Sequence, residues 1–183
     1  MTRTDIPLER LTVLPFHLWN RRWLLLAAGA YSSGEDHGFN VMTVSWGSLG
    51  VIWDKPFALV VVRPTRHTRS FMDKSESFTL SVLPEAHRRI LDFCGSRSGR
   101  DEDKVKATGL TPLVSRRVTA PSFEQAELVL ECRKIYFSDL DPTHFLDPGI
   151  EQHYPSKDYH RAYFGEVLAA AGTADWHGNG GTE

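Results

Sequence analysis

Short apolar runs, bounded by glycine, proline, serine or aspartate, dominate the chain. Runs of this length that are rich in aromatic and β-branched residues are typical of β-strands. In the clearest run, 126–136, the even positions from Ala126 to Cys132 are apolar, whereas Glu127, Glu131 and Arg133 point to the other face. The pattern predicts strands at 24–28, 41–46, 57–62, 78–82, 126–136 and 160–168.

Two helices and two tight connections complete the predicted elements. A helix is expected at 67–74, capped by a preceding threonine, and another at 84–94, with Gly95 as its stop. Residues 32–38 read as a hairpin loop and 54–56 as a turn. Several short strands with two helices favour a β-barrel with helical insertions over a parallel α/β sheet.

Length and composition suit one globular domain. The 183 residues predict a single domain over 1–170, and the small, polar residues of 171–183 predict a mobile tail. The formal net charge of −2 gives no general attraction to nucleic acid or to anionic membranes. Cys94 and Cys132 form no C-x-x-C motif, so a reducing, cytoplasmic setting is expected.

An arginine pair before an apolar run, at 21–28, has a faint likeness to a twin-arginine leader. The apolar run is short and the segment before it is itself apolar, so a buried strand entered from a surface arginine pair explains it better. Because no stretch approaches the roughly 20 apolar residues that a membrane span needs, no membrane association is expected.

Two basic clusters are candidate anion-binding segments. In RPTRHT at 63–68, guanidinium and hydroxyl groups follow a predicted strand and could hold a phosphate, although a solvated basic turn is the alternative. In CGSRSGRDEDK at 94–104, two glycines allow close approach of a ligand, and a polar surface loop is the alternative. The segment lacks the spacing of a P-loop or a nucleophile elbow.

The predicted strand at 41–46 offers an indole at Trp46 and hydroxyls at Thr43 and Ser45, a set that suits a planar ligand with a polar edge. An ordinary core strand is the alternative. The histidines match no helix-face metal motif, so no metal site is predicted. His160 opens the last strand, where it either caps the backbone or approaches a redox ligand.

Taken in order, these segments resemble the flavin reductase-like, FMN-binding split-barrel family, which is associated with flavoprotein oxygenases. The resemblance runs from about Asn40 to Val167. The matching segments are NVMTVSW at 40–46, RPTRHT at 63–68, FTLSVL at 78–83, CGSRSGRDEDK at 94–104, ATGL at 107–110, AELVLEC at 126–132 and DYHRAYFGEV at 158–167.

The resemblance implies a mainly β fold, a six-stranded antiparallel Greek-key split β-barrel with a few helices. It also implies a homodimer with FMN at or near the subunit interface. The implied cofactor-binding residues are Asn40, Thr43, Ser45 and Trp46 at the ring and ribityl chain, Arg63, Thr65, His67 and Thr68 at the phosphate, and Ser96, Ser98, Gly99 and Lys104 closing over the cofactor. His160 takes the place of a histidine near the nicotinamide, and position 67 carries histidine where close relatives have an aromatic hydroxyl.

The implied activity is an NAD(P)H-dependent reduction of flavin, with hydride passing from nicotinamide C4 to flavin N5 and electrons going on to an oxygenase or another acceptor. Three alternatives for the function stay open. A non-enzymatic, flavoredoxin-like electron-transfer protein is one, and relatives of the fold that bind haem or pyridoxal phosphate are the others. Because no G-x-G-x-x-G motif is present, a nicotinamide has to bind over the flavin without a domain of its own.

Overall fold

Most of the chain belongs to one antiparallel sheet. The computed structural model describes residues 2–33 and 38–178. Over these residues the strands are β1 Thr4–Ile6, β2 Leu24–Gly29, β3 Phe39–Val44, β4 Gly47–Ile52, β5 Lys55–Val62, β6 Ser77–Val82, β7 Pro112–Leu113, β8 Ser122–Phe123, β9 Leu128–Asp139 and β10 Arg161–Gly172. The helices are α1 Pro15–His17, α2 Thr68–Lys74, α3 Arg88–Ser96 and α4 Lys104–Thr108.

The sheet contains eight strands, in the order β3-β2-β6-β9-β10-β5-β4, with β1 paired to β10 beside this path. Strands β7 and β8 form a separate hairpin. All these pairings are antiparallel, and the predicted mainly β, antiparallel architecture is confirmed. Each of the six predicted strands is present.

The long strands β9 and β10 bend the sheet. Their register shifts twice, between Phe164 and Gly165 and between Val167 and Ala169, and such bulges increase local twist. A side chain at Gly165 would overlap the ring of Phe78, so a glycine is needed where the bent strand passes over the core.

Strand β2 separates two hydrophobic cores. Leu24, Leu26 and Ala28 point into the core inside the sheet, whereas Leu25 and Ala27 pack against the layer that contains α3 and α4. A strand that is buried on both faces reads as a continuous apolar run, which explains the segment that had a likeness to a leader. In the described part of the chain, no helix is both long and apolar enough to cross a membrane.

Some predicted boundaries were wrong. Strand β4 was not predicted, because its GSLGVI sequence lacks a regular alternation of apolar and polar residues. It forms a hairpin with β5. The turn of that hairpin is Trp53–Asp54, both with positive φ, one residue earlier than the predicted turn at 54–56. Helix α2 begins after His67 with no side-chain cap, and Gly95 lies inside α3, which ends at Ser96.

Residues 171–178, the described part of the predicted tail, continue from the sheet. Residues 171 and 172 end β10, Ala174–Trp176 forms a 3₁₀ turn, and Trp176 packs against the main core. The N–H of Gly178 donates to the carbonyl of Arg10 at 2.7 Å. The chain is therefore held to residue 178. Part of the predicted loop at 32–38 and the last five positions of the tail lie outside the described residues.

Candidate functional site

Two cavities lie end to end along β3. The Trp46 cavity, of about 350 Å³, is lined by Met42, Thr43, Val44, Ser45, Trp46, Val61, Arg63, Thr65, Arg66 and His160. The Lys104 cavity, of about 490 Å³, is lined by Phe39, Asn40, Val41, His67, Phe71 and Gly99–Val105. A hydrogen bond joins their walls, because Nη1 of Arg100 donates to the carbonyl of Thr65 at 3.2 Å.

Aromatic rings close one end of the Trp46 cavity. Trp46 lies two residues beyond Val44, the last residue of β3, and 44% of it is exposed. Its ring lies 5.3 Å from that of His160 and 5.2 Å, edge-on, from that of His153. A half-exposed indole at the mouth of a cavity gives a flat apolar surface against which a planar ligand can pack.

His160 is neutral over the physiological pH range. Burial lowers its pKa to about 4, and the positive charges of Arg63 and Arg66 act in the same direction, opposed by Asp158. The hydroxyl of Tyr154 lies 2.8 Å from its Nδ1 atom. His160 therefore faces the cavity as an uncharged hydrogen-bonding group.

The guanidinium of Arg63 forms an ion pair and a hydrogen bond with other groups of the protein. Its Nη1 atom lies 2.8 and 2.9 Å from the two carboxylate oxygens of Asp158, and its Nη2 atom donates to the carbonyl of His153 at 2.7 Å. The guanidinium also lies 5.0 Å from the centre of the Tyr154 ring. The sequence left a phosphate ligand and a solvated basic turn as the alternatives here, and the structure shows a tether for the segment 153–158.

A buried cation defines the other cavity. Lys104 is 4% exposed, and its Nζ atom donates to the carbonyl of Cys94 at 3.2 Å. Burial lowers the pKa of Lys104 to about 8, Cys94 opposes that shift, and the charge of Arg66 adds to it. The lysine is held in place by the fold because Asp103 caps the helix that it begins.

Positive charge accumulates where the two cavities meet. Burial and the charge of Arg63 lower the pKa of Arg66, whose Nη2 atom donates to the carbonyl of Gly95. Burial lowers the pKa of His67, and Arg100 and Lys104 contribute to that shift against Asp101. An anionic ligand bound here would relieve the repulsion between these cations.

A tight backbone contact shapes the Lys104 cavity. The amide of Asn40 donates from Nδ2 to the hydroxyl of Thr68 at 2.8 Å, so β3 and α2 are joined by two buried polar side chains. Gly99 passes directly over this pair, and a Cβ atom there would overlap Oδ1 of Asn40. The glycine is needed for close approach of the 97–103 loop to β3.

A family model described as "Flavin reductase like domain" matches residues 24–173. The chain belongs to this family. The match covers both cavities and every strand of the sheet except β1, in agreement with the resemblance found in the sequence.

Two solved structures and one protein of related sequence are similar to this chain. The FMN-binding domain of a flavin reductase-like enzyme from Shewanella baltica superposes with a TM-score of 0.66 at 21% identity, over 97% of this chain and 83% of that one. The flavoredoxin of Desulfovibrio vulgaris gives 0.63 at 21% identity, over 84% and 70%. An uncharacterised protein of Pyrococcus abyssi is 29% identical over 140 residues, or 75% of this chain and 68% of that protein. At these identities the solved structures show the fold, and the split-barrel prediction is confirmed.

Most of the site residues predicted from the sequence line one of the two cavities. The Trp46 cavity receives Thr43, Ser45, Trp46, Arg63, Thr65 and His160, and the Lys104 cavity receives Asn40, His67, Gly99 and Lys104. Thr68 lies behind the wall, bonded to Asn40. Ser96 and Ser98 line neither cavity: the Ser96 hydroxyl donates to the carbonyl of Asp92, and that of Ser98 accepts from the N–H of Arg100.

Sequence reasoning did not select three residues that shape the site. Arg66 and Arg100 lie within the two basic clusters, so their charge was a usable signal, although nothing in the sequence ranked them above their neighbours. Tyr154 gave no signal, because it stands in an irregular segment between β9 and β10. Among the described residues, no group of three or more histidine, cysteine or acidic side chains is arranged to hold a metal ion.

Proposed function

We propose that the protein binds FMN across the two cavities and acts as an oxidoreductase that reduces flavin with NAD(P)H. The observation that carries the proposal is the junction of an aromatic, hydroxyl-bearing cavity with a cluster of mutually repelling cations along one strand. A ligand with a planar ring at one end and a phosphate at the other matches this distribution. Family membership and the FMN-binding relative of Shewanella support the choice of FMN.

The residues present fit such a cofactor. Cavities of about 350 and 490 Å³ fall within the size of small-ligand sites. Trp46 and Met42 provide apolar contact for a ring, and Ser45 and Thr65 provide hydroxyls near its polar edge. Arg66 and Lys104 provide the counter-charge for a phosphate group, in a site where burial strengthens the attraction.

Flavin, when bound, supplies the redox chemistry by exchanging a hydride equivalent with nicotinamide. The chain's own residues bind the cofactor and orient its ring. Trp46 limits the position of the ring, and the cations near Arg66 stabilise negative charge on the ligand. His160 offers an uncharged ring nitrogen beside Trp46, where a second ring can approach through the exposed side of the indole.

We also propose a homodimer. Trp53, Tyr136, Phe164 and Phe57 form a continuous series of ring contacts, each 5.5 to 5.8 Å between centres. Trp53 is 58% exposed and Tyr136 is 48% exposed. An aromatic patch of this kind with charged pairs at its edge, here Glu166 with Lys55 and Arg133, resembles the centre and rim of a protein interface.

An oxygenase or another electron acceptor is the proposed partner of the reduced site, and the cytoplasm is the proposed location. Cys94 and Cys132 are free and buried, as expected of a chain that folds in a reducing compartment. A flavoredoxin-like electron carrier is the second candidate, favoured by the likeness to the Desulfovibrio flavoredoxin.

The absorption spectrum of the purified protein tests the proposal. We expect flavin bands, either as purified or after addition of FMN and removal of the excess. A colourless protein that takes up no FMN contradicts the proposal. Anaerobic titration then separates the two candidates: bleaching by NADH or NADPH supports a reductase, whereas bleaching by neither, with normal reduction by dithionite, supports an electron carrier.

A further inference from the structure

A tyrosine from the irregular segment between β9 and β10 contacts the ring of His160. The hydroxyl of Tyr154 lies 2.8 Å from Nδ1 of His160. Tyr154 is 3% exposed and His160 is 8% exposed, so the bond forms away from bulk water. In the described part of the chain, no hydrogen bond to Nε2 of His160 is present, and the histidine lines the Trp46 cavity.

The direction of this hydrogen bond follows from the partners available. If Nδ1 carried the proton and donated, the buried Tyr154 hydroxyl would keep a hydrogen with no other acceptor among the described residues. Leaving a buried donor unpaired is costly. If the hydroxyl donates to Nδ1, both groups are satisfied, and the proton of the neutral ring must then reside on Nε2.

We propose that Tyr154 is a positioning residue that holds His160 as the neutral Nε2–H tautomer, with Nε2–H as a hydrogen-bond donor into the Trp46 cavity. The donor would meet an electron-rich atom of a bound planar ligand, such as a carbonyl oxygen or a ring nitrogen. The identity of that ligand rests on the proposed function. The tautomer is independent of the proposed function, because it follows from the protein's own contacts.

The surroundings keep both rings in place. Arg63 lies over the face of Tyr154, 5.0 Å from its centre, and is itself anchored to Asp158 and to the carbonyl of His153. Trp46 packs against His160 from the cavity side. The charged groups facing His160 are Arg63, Arg66 and Asp158. Two of these are cations, so they oppose a second proton on the ring and keep it in its donor-and-acceptor form.

NMR of ligand-free protein labelled with ¹⁵N-histidine tests the tautomer directly. His160→Gln identifies the signals of residue 160 among those of the eight histidines. We expect the wild-type ring to show an unprotonated Nδ1 and a protonated Nε2 at neutral pH. A proton on Nδ1, or an even mixture of the two tautomers, overturns the proposal, and this measurement requires no variant of Tyr154 to fold.

Tyr154→Phe tests the role of the hydroxyl. The change keeps the ring that packs under Arg63, so we expect the fold to be retained. The tautomers should become mixed, and the pKa of His160 should rise from its value of about 4, because protonation of Nδ1 no longer breaks a hydrogen bond. Tyr159→Phe is the matched control, since the hydroxyl of Tyr159 donates to Glu151 on the same segment. Identical His160 spectra in Tyr154→Phe and wild type contradict the proposal.

A functional measurement keeps this inference apart from the proposed function. We expect Tyr154→Phe to retain FMN, because Tyr154 lines neither cavity. Its reduction by NAD(P)H should be roughly 10- to 100-fold slower, because the His160 ring loses both its fixed tautomer and its orientation. Unchanged reduction with mixed tautomers shows that Nε2–H meets no reacting ligand, and it overturns the positioning role. If wild type binds no FMN at all, the proposed function fails, and the tautomer is still decided by NMR.

Discussion

Arg63 and Asp158, 95 residues apart in the chain, form an ion pair in which one guanidinium nitrogen lies within 2.9 Å of both carboxylate oxygens. The pair joins the end of β5 to the segment that leads into β10. It anchors the segment that carries Tyr154, whose hydroxyl contacts His160 in the wall of the Trp46 cavity. Arg63, a candidate phosphate ligand in the sequence, thus fixes the position of one wall of the Trp46 cavity.

We expect Asp158→Asn and Arg63→Ala to have similar effects, because each removes the same tether. Each should lower the free energy of unfolding by about 1 kcal/mol, as for a partly exposed ion pair, and expose the segment 141–160 to limited proteolysis. The double variant should add little to either single change. Strictly additive effects contradict the tether. Arg69→Ala, which breaks another ion pair, with Asp73, is the control.

Arg66→Ala should weaken FMN binding more than Arg63→Ala does. Arg66 lines the Trp46 cavity and interacts electrostatically with Lys104, whereas the guanidinium of Arg63 is already paired. Loss of one charge-assisted contact predicts a cost of about 2 kcal/mol, or roughly a 30-fold rise in Kd. Quenching of FMN fluorescence measures the affinity. Arg89→Ala, an exposed arginine on α3, controls for the loss of charge, and equal Kd values in all three variants are evidence against a phosphate near Arg66.

Lys104 should make stability depend on pH in the alkaline range. Its pKa is about 8 in the native state against an ordinary value of 10.5, so between these values the unfolded chain binds more protons. The free energy of unfolding therefore rises with pH across this window, by up to about 3 kcal/mol. Lys104→Met should lack this rise. Urea unfolding of both ligand-free proteins at pH 7 and pH 10 measures the difference, and parallel curves contradict a depressed lysine pKa.

Gly99→Ala should destabilise the protein by about 1–3 kcal/mol, because the added methyl group overlaps Oδ1 of Asn40 and the loop must move away from β3. Thermal unfolding checks the stability, and FMN affinity checks the cavity. Ser98→Ala is the neighbouring control, since it removes only a local hydrogen bond. If the overlap is the cause, Asn40→Ala in the Gly99→Ala background recovers part of the loss. No recovery points to another source of strain.

Trp53→Asn should convert a dimer to a monomer without loss of fold. Trp53 has a positive φ in a two-residue hairpin turn, a position that favours asparagine, so the change removes an exposed aromatic ring and suits the backbone. Light scattering coupled to size exclusion gives the mass. Phe16→Ser, at an exposed phenylalanine outside the patch, is the control. A wild-type monomer, or a dimeric Trp53→Asn protein, contradicts the proposed interface.

The sequence by itself determined six of the strands and the side-chain chemistry of the site. The apolar run 24–28 identifies its strand, because burial of both faces requires hydrophobic residues whatever the neighbours are. The two basic clusters and the indole of Trp46 carry their chemistry in their side chains. Their order along the chain was enough to indicate the family.

Only the tertiary structure decided which of these groups line the two cavities. Strand β4 forms because β5 offers a pairing edge, and such a partner cannot be read from local sequence. Arg63 pairs with Asp158, 95 residues away, because groups from distant segments compete with a ligand for each polar side chain. Tyr154 and His160 are only six residues apart, but the chain between them is irregular, so its folded path decides that their rings meet. A side chain's type is local information, but its partner depends on the path of the whole chain.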